Sequence, residues 1–342
     1  KSYISLFLFA QRYSFREKIV TFAVEKTFKY MLSRRLLRLK AVKNLYSHLK
    51  SNATDLAASE KTLQHSIDKA YDLYFQMMLL IVDVADYAES RIELAKQKHL
   101  ATYEDLNPNT RFVDNRLIAQ WRASGRINDF AAKRGLGWAQ YPELIKTLYN
   151  NLVASDYYQA YMTAEKATYR DDVRLVEQFY TREIENLEMV EEVLDEQSIM
   201  WNDDLGFALV MVLRTLSNCR ASHTEVPVLP KFKNDDDREF IEELFRRTLV
   251  NYDSYMKIVE RFTRNWDVER IAFMDNLIMT TAISEMINFE SIPVKVTLDE
   301  YIEIAKHYSS VGSGTFINGI LDKCAETLTA EGVIVKSGRG LI

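Results

Sequence analysis

The sequence predicts an all-α protein, and three observations carry that reading. Breakers are scarce: 5 prolines and 10 glycines in 342 residues fall well under the roughly 12% of average usage, and an all-β chain would need more turn residues. Apolar residues recur at helical spacing, as in the stripe Leu37, Ala41, Leu45 and Leu49, which steps by one turn each time. The glycines are also unevenly placed, since six of the ten, Gly312, Gly314, Gly319, Gly332, Gly338 and Gly340, lie at the C-terminal end. With 47% hydrophobic and 27% charged residues, the chain has the material for one or two cores and is neither disordered nor a disulfide-stapled minidomain.

The elements follow in order. Residues 1–30 read as an N-terminal extension upstream of a natural start at Met31. Residues 31–50 form a basic first helix, with Ser33 as its cap and Arg34, Arg35, Arg38, Lys40, Lys43 and Lys50 unaccompanied by any Asp or Glu. At about 100° per residue, Arg38 falls inside the apolar arc of Leu37, Ala41 and Leu45, while Lys40 and Lys43 point away from it. Either the helix begins at its second turn, or Arg38 snorkels to the rim with its guanidinium in water.

Residues 51–237 read as a long helix followed by a helical insertion. The long helix runs from about Ser59 to Thr102, with Leu63, Ile67, Ala70, Leu73 and Met77 on one face, and Asn107–Pro108 ends the pattern. The stretch from Phe112 to Ala139 is mixed, and Gly135-x-Gly137 within it reads as a turn. Further helices are expected over Leu144–Val153, Asp171–Glu196 and Leu205–Leu216, the second of them strongly acidic on its outer face. Ala221–Asp237, with Pro227, Pro230 and a run of three aspartates, reads as a linker.

Residues 238–332 form a C-terminal helical subdomain, and 333–342 a tail. Its helices are expected over Arg238–Phe262 and Asp267–Ile287, then from a capping box at Thr297 with Glu300 three residues on, and last from Ser313 or Thr315 to a cap at Gly332. Gly319, inside that last helix, costs roughly 1 kcal/mol relative to Ala and is expected to mark tight contact with a neighbouring helix.

Several function classes drop out. Cys219 and Cys324 are far apart with no CxxC pair, and the five histidines never take a zincin spacing, so no metal, no cofactor and a reducing cytoplasm are expected. No nucleophile triad, phosphate loop or dinucleotide fingerprint stands in a suitable context, which argues against an enzyme. No stretch is long and apolar enough to cross a membrane. A net charge of −5 excludes a generally basic nucleic-acid binder but leaves room for a local basic patch.

The C-terminal strings ERIAFMDNLIMTTAISEM, SIPVKVTLDEYIEIAKHYS and GTFINGILDK, with RRLLRLKAVKNLYS near the start, resemble the NusB family of transcription antitermination factors. The likeness covers residues 31–50 and 238–330 and rests on Pro293, Glu300, Ala305, Lys306, Phe316, Asn318, Gly319 and Asp322, among others. It implies a NusB-like helical bundle carrying a large helical insertion. It also implies binding of a boxA-type single-stranded RNA together with NusE, a ribosomal protein, within the RNA polymerase antitermination complex that promotes rRNA transcription. On this resemblance Arg34, Arg35, Arg38, Lys40 and Lys43 supply phosphate contacts, Tyr46 a stacking platform, and Phe316 and Asn318 a contact at a helix N-terminus suited to a phosphate. Glu300 is a cap first and a partner contact second. The sequence departs from the family at Leu39, where an acid is usual, at Thr280, where an Arg is usual, and at Gly312, where an acid is frequent. The competing reading is a protein-interaction scaffold or ribosome-biogenesis factor without sequence-specific RNA binding, acting through the acidic stretch Glu177–Glu196.

Overall fold

A computed structural model describes residues 33–184, 187–201, 203–263 and 271–337. The extension expected over 1–30 and the last residues of the tail lie outside them. All regular structure among the described residues is helical, as the breaker count requires. The α-helices longer than one turn are α1 (Arg34–Lys50), α2 (Leu56–Lys96), α3 (Arg116–Arg122), α4 (Gly125–Arg134), α5 (Pro142–Ala154), α6 (Asp156–Thr163), α7 (Tyr169–Gln178), α8 (Glu188–Gln197) and α9 (Leu205–Asn218). After them come α10 (Asp235–Val250), α11 (Tyr252–Phe262), α12 (Phe273–Asn288), α13 (Val294–Tyr308) and α14 (Ser313–Ala330). No helix among the described residues is long and apolar enough to cross a membrane.

The chain divides into two compact units, one formed by residues 68–231 and the other by 33–67 with 232–337. In the 68–231 unit, the later turns of α2 supply an apolar spine that includes Leu73, Tyr74, Met77, Ile81 and Val84, all buried. Gln76, a polar residue buried with it, is paired. Gln76 donates to the Gly137 carbonyl and accepts from the Gly137 amide, both at 2.8 Å, and its own carbonyl receives Trp138 Nε1 at 2.8 Å. Gly135 closes α4 in the left-handed conformation at φ 64°, so the Gly-x-Gly is a helix-ending turn.

Three expectations need correction here. The acidic stretch is two helices, because α7 passes into a π-helical segment over Phe179–Ile184 that buries Phe179, Tyr180 and Ile184 before α8 begins. The expected linker is pinned to its unit: Tyr71 Oη donates to the Leu229 carbonyl, the Leu229 amide donates to Tyr74 Oη, and the Glu225 carboxylate takes Ser124 Oγ and the Gly125 amide at the start of α4. The helix expected over Arg238–Phe262 breaks at Asn251, whose side-chain amide turns back to the Arg247 carbonyl.

In the other unit α12 is the central helix. Every residue from Asp275 to Met286 is buried, because α1, α10, α11, α13 and α14 all pack against it. That envelope explains a helix without a polar face. Thr280 sits fully buried and returns its hydroxyl to the Leu277 carbonyl. The capping box expected at Thr297 does not form. Helix α13 starts a turn earlier, behind Pro293, which leaves Thr297 inside the helix and buried. Gly319 is exposed and an added Cβ would meet nothing within 4 Å, so it marks no helix contact.

Candidate nucleic-acid interface

Helix α1 holds most of the cationic residues singled out from the sequence, and the structure divides them between two roles. Ser33 caps it by accepting from the Leu36 amide. Every residue from Leu36 to Val42 is buried, so for two turns the helix has no open face.

Arg38 is the centre of a polar knot in that buried stretch. Its guanidinium donates to both Glu285 oxygens on α12, at 2.7 and 2.8 Å, and the two side chains are 3% and 0% exposed. Thr297 and Tyr301 of α13 donate to the same carboxylate at 2.8 and 3.3 Å, and Phe240 of α10 lies against the guanidinium. Burial works against the Arg38 charge, but the Glu285 charge and hydrogen bonds outweigh it and raise the pKa. Arg35 forms a two-pronged pair with Glu300 at 2.8 and 3.0 Å, and Arg34 pairs with Asp237 at 2.9 Å.

These pairs correct the sequence reading. Arg38 neither precedes the helix nor snorkels to water; its charge is met inside by Glu285. Lys40, expected to point outward, is only 2% exposed, because the single-stripe wheel fails for a helix enclosed all round. Glu300 is not part of a cap, and Arg35 holds its carboxylate. Arg34, Arg35 and Arg38 therefore join α1 to α10, α12 and α13.

The C-terminal half of α1 is different. Tyr46, 39% exposed, meets Phe273 edge-on at 5.5 Å between ring centroids, and Lys50 Nζ stands 4.0 Å over the same Phe273 ring. Lys43 Nζ lies 5.4 Å over the Tyr308 ring at the end of α13. Phe273 opens α12, and two residues on the buried Asp275 accepts hydrogen bonds from Ser309 and Ser313, the latter at 2.9 Å. Ser313 is the first residue of α14, so Phe316 and Asn318, both half-buried in its first turns, are brought to the same end of the bundle as Tyr46. Arg34 is about 18 Å away along the axis of α1, at 1.5 Å per residue.

At the α14 N-terminus, where a phosphate contact is expected, the buried Asp275 carboxylate accepts from Ser313. Sequence reasoning passed over Phe273, Tyr308 and Lys50 as members of this group. Only Lys50 had a legible signal, standing one turn beyond Tyr46. Among the described residues no group of three or more His, Cys, Asp or Glu side chains is arranged to hold a metal ion.

Fold and site together define an all-helical bundle whose distinctive surface chemistry is aromatic and cationic at one end. The NusB family model matches residues 217–326. The chain is 42% identical over 123 residues to the transcription antitermination protein NusB of Salinibacter ruber, covering 36% of this chain and 76% of that protein. It is 37% identical over 105 residues to the protein of the same name from Chloroherpeton thalassium (31% and 50%) and over 101 residues to that of Acetivibrio thermocellus (29% and 70%). No solved structure matches. The chain belongs to the NusB family, an RNA-binding, non-enzymatic family of transcription antitermination factors.

Proposed function

We propose that this protein binds a boxA-type single-stranded RNA, with the NusE ribosomal protein as its partner, and acts in the cytoplasm within an RNA polymerase antitermination complex that keeps rRNA transcription processive. The observation that carries the reading is the gathering of Tyr46, Phe273, Lys43, Lys50, Phe316 and Asn318 at one end of a NusB-family bundle. Unpaired bases stack on aromatic rings and are read at their edges by amides, while lysines meet phosphates. Tyr46 and Phe273 supply the rings, Asn318 an amide, and Lys43 and Lys50 the cations. The arginines of α1 act indirectly, by fixing that helix in the bundle.

The test is titration of a boxA-type RNA against the protein with and without NusE, beside an unrelated RNA of equal length. Selective binding that NusE strengthens is expected, and the Lys43→Glu, Tyr46→Ala double variant should lose it while keeping its helicity. Absence of binding, or binding equal to the unrelated RNA, would favour a protein-interaction scaffold, with the acidic α8 (Glu188, Glu191, Glu192, Asp195 and Glu196) as its surface.

A further inference from the structure

We infer that Asp275 is a positioning residue for the RNA-binding end, setting the first turns of α14 against the aromatic group at the start of α12; the inference rests on the function proposed above. Asp275 is 5% exposed, yet its partners are not the charged groups that a buried carboxylate usually recruits. They are two serines, Ser309 just after α13 and Ser313 at the start of α14, and Ser313 is linked in turn to Ser310 at 2.7 Å. One carboxylate thus holds both ends of the turn between the two helices. Within the turn, Gly312 takes φ +92°, a conformation that side chains other than glycine's rarely adopt. The turn is therefore closed by a backbone that bends at Gly312 and a side chain that anchors it on either side.

The consequence is geometric. Asp275 is two residues from Phe273, which packs on Tyr46 and underlies Lys50. Ser313 is three residues from Phe316 and five from Asn318. The carboxylate thus links the two halves of the proposed RNA surface through Phe273 on one side and Ser313 on the other. A carboxylate suits the task because it accepts from two hydroxyl donors at once, each bond strengthened by its charge. An amide in its place offers one acceptor oxygen and no charge, so at least one serine exchanges its charge-strengthened bond for a weaker one in which its hydroxyl must accept.

The experiment compares wild-type protein with Asp275→Asn, with the Ser309→Ala, Ser313→Ala double variant, and with Ser313→Thr, which keeps a hydroxyl. Thermal melting, amide hydrogen exchange and boxA-type RNA titration are measured on each. Expected are faster exchange in the first turns of α14, including Phe316 and Asn318, and RNA affinity lower by about tenfold for Asp275→Asn and the double alanine variant, with cooperative melting retained. Ser313→Thr should bind close to wild type. The inference is overturned if the variants that lose these bonds bind as wild type does, or if their loss matches the unfolded fraction seen in melting. A wild-type protein that ignores the RNA overturns the proposed function itself, whereas unchanged α14 exchange in Asp275→Asn overturns only the anchoring role.

Discussion

At the scale of the residue, Arg38 shows why charge in a sequence is a poor guide to charge on a surface. Its guanidinium is buried against Glu285 with Thr297 and Tyr301 completing the carboxylate's partners. Removing one member of such a pair leaves the other ion uncompensated in the core, at a cost of about 3–5 kcal/mol. Arg38→Ala should therefore lower the melting temperature strongly, and equilibrium denaturation should show a stability loss of that size. A loss under about 1 kcal/mol would mean that water reaches the pair.

Asp83 gives a second residue-level prediction, in the unit formed by residues 68–231. Burial, opposed by a hydrogen bond from the Trp138 amide and reinforced by the charge of Asp86, pushes its carboxyl up to about 6. The unfolded chain releases that proton near pH 4, so between about pH 4 and 6 the folded state binds the proton more tightly. Stability then falls as pH rises through that window. Asp83→Asn, which keeps an acceptor for Trp138, should stabilise the protein at pH 7 by about 1–2 kcal/mol and flatten this part of the profile. Denaturant titrations at pH 4.5 and 7 check both effects, and an unchanged slope would contradict them.

At the scale of the element, α14 carries a glycine where a side chain would fit. Gly319 is exposed on a regular helix, and a Cβ added there would have open space for 4 Å around it. Gly319→Ala should therefore raise stability by about 0.5–1 kcal/mol while weakening RNA binding, since the added methyl group stands one residue from Asn318. A stabilised variant with unchanged affinity would show that the RNA does not approach α14 at Gly319.

The helices themselves were largely legible in the sequence, because period and breakers are local signals. Ser33, Gly135 and Pro142 sit at helix ends where their chemistry places them. What was not legible depended on neighbours remote in the chain. The wheel for α1 assumed one buried face, and α1 has none open between Leu36 and Val42. Thr297 and Glu300 have the spacing of a capping box, but Glu285 and Arg35, brought in from α12 and α1, take those side chains instead. The site followed the same division. Tyr46 and Lys43 were visible on the basic helix and Phe316 with Asn318 in the C-terminal motif, whereas Phe273 and Tyr308 become members only through contacts of the folded chain.

At the scale of the whole molecule, the formal charge of −5 averages over a basic first helix whose arginines are neutralised internally and an acidic stretch in the other unit. In the basic block, Arg34, Arg35 and Arg38 are committed to Asp237, Glu300 and Glu285. With Lys43 and Lys50 as the cations proposed to meet phosphate, the logarithmic salt slope for single-stranded RNA should be about −1 to −2, at roughly 0.7 per phosphate. Stacking should supply most of the affinity. A slope of about −3.5, the value for five phosphates at roughly 0.7 each, would place the arginines on the RNA as well.

Everything proposed for this protein turns on RNA lying on the aromatic end of the bundle and not along the arginines of α1. Ultraviolet crosslinking of a boxA-type RNA to the protein, with the attachment sites read by peptide mass spectrometry, tests it most directly. The expected crosslinks fall on Tyr46, Phe273 or Phe316. Crosslinks confined to the peptide carrying Arg34, Arg35 and Arg38, or to the unit of residues 68–231, would contradict it.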